Sequence, residues 1–149
     1  MSEHAAEISW KRDSETFTYD QYNREHRWRF PGGSGINASA APQFKGLASH
    51  VNPEEAFVAA CASCHMLTFL AICARKRLVV NSYNDSAVGF LEKNERGKLA
   101  ITRIELSPKI SFDGQHPDSA SLNKMHEHAH RECFIANSVQ TEIVVARTI

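Results

Sequence analysis

Polar and apolar residues alternate over residues 5–30, with aromatic side chains at Trp10, Phe17, Tyr19, Trp28 and Phe30. A period of two sends successive side chains to opposite faces, so this stretch predicts two or three strands joined by polar turns. Pro31-Gly32-Gly33-Ser34-Gly35 is a turn signal. Residues 36–50 are small and polar, with Pro42 and Gly46, and predict a loop or a short strand. The pattern then changes. Asn52 is suited to cap a helix, Pro53 to its first position, and Glu54 and Glu55 to the positive first turn. Glu55, three after Asn52, completes a pair resembling a capping box. The helix is expected to run to about Arg75, where Arg75, Lys76 and Arg77 complement the negative end of the dipole.

Residues 56–74 of that helix carry no Asp, Glu, Lys or Arg. The length approaches that of a bilayer span. The run nevertheless holds Ser63, His65, Thr68 and three cysteines, and it lacks a Trp or Tyr belt, so the expectation is a core helix and no membrane. A helix apolar on nearly every side must be buried on nearly every side. One sheet from a chain of 149 residues covers only one side of it. A homodimer with this helix at its centre would cover the rest.

Residues 78–92, rich in Val, Tyr and Phe, predict a strand. Asn94-Glu95-Arg96-Gly97 predicts a turn, and 99–112 a second strand with Ile101, Ile104 and Leu106 alternating. Together they predict a hairpin, with Pro108 an irregularity near its end. Asp118 or Ser119 caps a second helix through about Glu132, and residues 141–145 form a last strand. Strands, helix, hairpin, helix, strand is an α+β order with mostly antiparallel pairing. No repeat or linker divides the chain, so one domain over 1–149 is expected.

Lys plus Arg and Asp plus Glu are both 17, so the formal net charge is zero. That balance gives no basic surface for nucleic acid and little repulsion against self-association. Met1-Ser2-Glu3-His4 lacks the basic and apolar regions of a secretory signal. Three of the four cysteines crowd into one helix, a poor layout for a secreted disulfide framework. A cytoplasmic protein with resting thiols is expected.

Cys61 and Cys64 lie three apart on one face of the first helix. On the second helix His126, His130 and Cys133 fall at i, i+4 and i+7, one stripe, with His128 off it. Three readings follow from these residues. The cysteines are small packed hydrophobes beside satisfied histidines. The imidazoles and thiolates hold zinc, although a C-x2-C zinc pair usually lies on a turn and not mid-helix. Or a reactive thiol on the first helix meets a resolving thiol on the second. Cys73, near the helix end, fits simple packing.

The run Asn52-Pro53-Glu54-Glu55-Ala56-Phe57-Val58-Ala59-Ala60-Cys61-Ala62-Ser63-Cys64-His65-Met66 resembles the central helix of the osmotically inducible protein C (OsmC) and organic hydroperoxide resistance (Ohr) superfamily. There an Asn-Pro-Glu start precedes the peroxidatic cysteine by the spacing that separates Glu54 from Cys64. The run Ala129-His130-Arg131-Glu132-Cys133-Phe134-Ile135-Ala136-Asn137-Ser138-Val139 resembles the stretch with that family's second cysteine. The resemblance extends from about residue 35 to near the end.

The resemblance implies an OsmC-like α+β fold: antiparallel sheet, a long buried central helix, and an intertwined homodimer with its active sites at the subunit interface. It implies a thiol-dependent peroxidase acting on organic hydroperoxides in oxidative-stress defence, with Cys64 peroxidatic, Cys133 resolving, an external dithiol as reductant, and neither cofactor nor metal. It also implies an Arg, held by Glu54, that stabilises the thiolate. A buried thiol otherwise holds its proton. In the segment before the helix, Ile36-Asn37-Ala38-Ser39-Ala40-Ala41-Pro42 has no Arg. Arg24, Arg27 and Arg29 lie upstream, and Arg27 is the expected partner. His65, His126 and His130 are the alternatives. The missing Arg also admits a non-catalytic OsmC-like protein that binds a small apolar or electrophilic ligand at the dimer interface.

Overall fold

A computed structural model describes residues 1–148. The chain divides into two compact units, Met1–Ala56 and a second from Phe57 onward. In the first unit β1 (Glu7–Ser9), β2 (His26–Arg29) and β3 (Gly35–Ala38) form an antiparallel sheet in that order. Trp28 stands opposite Ile8 and Ile36. Alternation along β2 leaves His26 and Trp28 half-buried and sends Arg27 and Arg29 to the exposed face. The β2–β3 turn closes where the Phe30 N–H donates to the Ser34 carbonyl at 2.9 Å. Gly33 takes φ 92°, a conformation that glycine adopts without penalty. β3 occupies the start of the small, polar run.

α1 (Pro53–Arg75) begins as the sequence predicts. The Asn52 side chain accepts from the Glu55 N–H at 2.9 Å, and Glu55 Oε2 accepts from the Asn52 N–H at 3.1 Å. This reciprocal pair satisfies two of the helix's orphan donors. α1 ends where Arg77 turns left-handed at φ 59° and the Leu78 N–H donates to the Cys73 carbonyl at 3.0 Å.

In the second unit the expected hairpin is present but bent into two ladders. β4 (Val79–Asp85) pairs with β7 (Pro108–Asp113), and β5 (Val88–Lys93) with β6 (Leu99–Leu106), both antiparallel. Each expected long strand is therefore two. The interruption lies at residues 86–87 on one arm and at Ser107 on the other, where Asp85 Oδ1 accepts the Ser107 N–H at 2.7 Å. Pro108, which has no N–H to give, opens β7. α2 (Ser119–Glu132) is capped by Asp118, which accepts the Ser121 N–H at 2.7 Å. β8 (Glu142–Val145) joins β6 in parallel.

The two halves of α1 pack on different partners. Phe69, Ile72 and Cys73 join Leu122, Met125 and Ala129 of α2, with Tyr83, Ile110 and Phe112 packed against them. Cys61 joins Ile104 and Leu106 of β6, bordered by Val58, Ile135 and Ile143. The expectation of burial on nearly every side is not met within one chain. Ala59, Ala60, Ser63, Leu67 and Ala71 are exposed, Leu67 to 61%. The bent hairpin and α2 reach only the opposite stripe.

α1 approaches β5 closely at Gly89, where a Cβ would stand 2.5 Å from Val58 Cγ2. Val58 is β-branched and stiff at χ1, so it gives way poorly. Gly89→Ala is expected to destabilise the fold by about 1–3 kcal/mol in urea unfolding. Gly32→Ala, with nothing within 4 Å of the new methyl, is expected to stay within about 0.5 kcal/mol.

Candidate active site

Cys61 and Cys64 project one turn apart from α1, and Cys133 sits at the C-cap of α2. The fold brings the three thiols together. The Cys133 thiol lies beside Cys64, and Cys61 lies close enough to feel charge on either of them. All are free thiols. They differ in access: Cys61 is 1% exposed and Cys133 2%, whereas Cys64 is half-buried. Burial, and then the neighbouring Cys64, hold the Cys133 thiol above its ordinary value. The N–H groups of Ala136 and Ile135 work against this, Ala136 at 3.4 Å from the sulfur. They are positioned because the chain turns sharply after α2 into a 3-10 turn over Ala136–Ser138, with the Asn137 N–H donating to the Cys133 carbonyl at 3.0 Å. Burial pushes the Cys61 thiol up to about 11, with smaller contributions from Cys133 and Cys64. Cys73 is also pushed up to about 11 by burial, within the other core cluster.

Beside the thiols lies a layer of imidazoles. His65 of α1 and His126 of α2 share a hydrogen bond at 3.0 Å between Nε2 and Nδ1, their rings nearly parallel at 12°. His126 in turn stacks on Phe69, with centroids 4.2 Å apart. The Nδ1 atoms of His65 and His130 are buried without a partner. Desolvation lowers both His65 and His126 to about 4, and for His65 the neighbouring His126 and His130 add to it. His65 and His126 are therefore neutral near pH 7, acting as packed polar aromatics and not as counter-cations. The predicted stripe is borne out in placement: His126 and Cys133 are buried, His130 is half-buried, and His128 faces outward. Among the described residues no group of three His, Cys, Asp or Glu side chains is arranged to hold a metal ion.

Arg27 and Glu54 lie in the first unit. Arg27 is exposed and donates to Asn37 Oδ1 at 2.5 Å. Arg24 is the buried guanidinium, 8% exposed. It lies over the Tyr22 ring at 3.6 Å and donates to the carbonyls of Tyr22 and Tyr19. A cavity of about 480 Å³ is lined by Trp10, Phe17, Tyr22, Arg24, Phe44 and Glu54, among others. Glu54 Oε2 is buried there without a hydrogen-bond partner. Two-residue alternation correctly placed Arg27 and Arg29 on one face, but it did not say which face meets water. Arg24 precedes the strand, and its signal in the sequence is the pair of tyrosines at Tyr19 and Tyr22 available to stack on it.

The family model described as OsmC-like protein matches residues 46–147. The chain belongs to the OsmC-like family. The match contains both helices and the hairpin between them, and so Cys64 and Cys133. The solved structure of an OsmC-like protein of unknown function from Vibrio cholerae is 53% identical, covering 98% of this chain and 99% of that one with a TM-score of 0.94. An organic hydroperoxide resistance protein from Elizabethkingia anophelis is 14% identical, with coverage of 99% and 98% and a TM-score of 0.73. An organic hydroperoxide resistance protein OsmC from Legionella pneumophila is also 14% identical, covering all of both chains at a TM-score of 0.71. At 14% identity the likeness is one of α+β fold. A search of curated proteins finds no match.

The buried imidazole pair makes this OsmC-like fold acid-sensitive. Folded-state values near 4 lie below the ordinary 6.5. Between those values the unfolded chain binds more protons, so stability falls as pH drops from 6.5 toward 4. The expected loss is on the order of 1 kcal/mol per pH unit. His126→Leu removes one of the two titrating rings. Urea midpoints at pH 7.5, 5.5 and 4.5 should show a shallower decline in that variant than in the wild type.

Proposed function

We propose that this OsmC-like protein is a thiol peroxidase for organic hydroperoxides, with Cys64 as the attacking thiol and Cys133 as the resolving one. The observation that carries this is the closeness of two thiols distant in the chain, one half-buried and the other sealed. The Cys64 thiolate attacks the distal oxygen of the hydroperoxide, the O–O bond breaks, and the alcohol leaves. Cys64 becomes a sulfenic acid. The Cys133 sulfur then displaces its hydroxyl as water and forms the disulfide. An external dithiol reduces that disulfide by exchange. Similarity in fold to proteins named for organic hydroperoxide resistance agrees with this substrate class. So do the aliphatic side chains of Ile104, Leu106 and Ile135 near the thiols.

Turnover of cumene hydroperoxide with dihydrolipoamide is expected in the wild type. It should be abolished in Cys64→Ser and reduced at least tenfold in Cys133→Ser. Undiminished turnover in Cys64→Ser would rule the reading out. The family resemblance assigns activation of the nucleophile to an Arg held by Glu54. Arg24 shares a cavity with Glu54 and Arg27 faces solvent. Arg24→Met is therefore expected to slow iodoacetamide labelling of Cys64 more than Arg27→Met does. A greater effect from Arg27→Met would favour Arg27, the partner expected from the sequence.

The homodimer belongs to the same reading. The exposed stripe Ala59, Ser63, Leu67 and Ala71 has no charged side chain. A second copy of α1 offers small residues that permit close packing. Light scattering is expected to give about twice the 16.7 kDa chain mass, and Leu67→Glu is expected to return the monomer. A second reading, ligand binding without turnover, draws on the aromatic cavity around Trp10 and Phe17. It predicts saturable quenching of Trp fluorescence by apolar ligands in a protein whose Cys64 consumes no hydroperoxide.

A further inference from the structure

We propose that Cys61 is a third redox residue, taking the disulfide over from Cys64 by exchange at the Cys133 sulfur. This rests on the peroxidase reading and extends it from two thiols to three. Cys61 and Cys64 are held one turn apart on α1, which sets their Cβ atoms about 5–6 Å apart. Cys133 ends α2, Ile135 just beyond it packs against the cluster that holds Cys61, and the Cys133 thiol neighbours both cysteines of α1. A direct Cys61–Cys64 disulfide requires Cβ atoms about 3.5–4.5 Å apart, so the helix disfavours it. Exchange has the opposite requirement. The attacking and leaving sulfurs must stand on opposite sides of the central one, roughly two S–S bonds of about 2 Å apart. Two sulfurs carried on Cβ atoms one helical turn apart can flank a third in that way.

The step balances without any outside oxidant. The Cys61 thiol loses its proton and its thiolate attacks the Cys133 sulfur of the Cys64–Cys133 disulfide. The Cys61–Cys133 bond forms as the Cys64–Cys133 bond breaks. The electron pair leaves on the Cys64 sulfur, which is set free as thiolate or takes up the proton. The disulfide now joins the two sealed sulfurs, 1% and 2% exposed, beside Ile104 and Leu106. A neutral disulfide suits that dry surrounding better than any thiolate. Cys64, the accessible thiol of the three, is free to react with a second hydroperoxide. Cys73 takes no part, because it packs with Phe69 and Leu122 in the other cluster. Burial holds the Cys61 thiol at about 11, so exchange should quicken about tenfold per pH unit through the neutral range.

The test omits reductant and counts oxidising equivalents. The wild type is expected to consume two equivalents of cumene hydroperoxide, the second more slowly and with that pH dependence. Cys61→Ala is expected to stop at one. Independently of how that variant folds, wild type oxidised with one equivalent can be acid-quenched, alkylated in denaturant and fragmented in a mass spectrometer. The expected linkage is Cys61–Cys133 with the alkyl label on Cys64. One equivalent consumed by both proteins, with the label on Cys61, overturns the relay and leaves the peroxidase standing. No consumption by either protein overturns both.

Discussion

Charge is costly in the contact between α1 and α2, and most of the chemistry in the second unit follows from that cost. Three thiols and three imidazoles meet there with little access to water. Desolvation pushes the His65 and His126 imidazoles toward the neutral form and the Cys61 and Cys133 thiols toward the protonated one. The pair His65 and His126 solves its own problem by bonding ring to ring and stacking on Phe69. Neutral imidazoles at His65 and His126 supply no fixed positive charge to a neighbouring thiolate. An arginine is the cation that burial does not readily discharge.

The ends of the elements were legible in the sequence because they are local. Asn52 and Glu55 are three residues apart and bond each other as their spacing predicts. Asp118 caps α2 by a bond to Ser121, also three residues on. The bend in the hairpin was not legible, because it is made by Asp85 and Ser107, which are far apart in the chain. On the second arm the alternation of Ile104, Leu106, Ile110 and Phe112 runs past Ser107 without a break, since each ladder keeps its own inward face. Pro108 was the one local hint, and it marks the start of a new strand where a weakened end had been expected.

The site was legible in part. The i, i+4, i+7 spacing placed His126, His130 and Cys133 on one stripe, and the structure has them there. Nothing in that spacing says which α1 residues the stripe meets. The expectation that Cys133 lies against Cys64 came from the resemblance to a family. The cation is the instructive case. Arg27 and Arg29 alternate with Trp28, so β2 has a cationic face, and that face is the wet one. Arg24 is buried by lying over Tyr22 at 3.6 Å, a contact within a turn that no strand periodicity describes.

α1 joins these threads through its own period. Cys61 and His65 lie on its covered stripe, and Ser63 and Leu67 on its open one. At 100° per residue, Cys64 falls at the border between the two. Its half-burial is the consequence: the protein's own chain closes over one side of the sulfur and leaves the other side facing the uncharged open stripe. A surface that covered Ser63 and Leu67 would therefore also narrow the approach to Cys64. An apolar cover would exclude water from an attacking thiolate while admitting an apolar peroxide. Exposure of the open stripe and access to Cys64 are then two results of one arrangement, because both are set by where the covered face of a single helix ends.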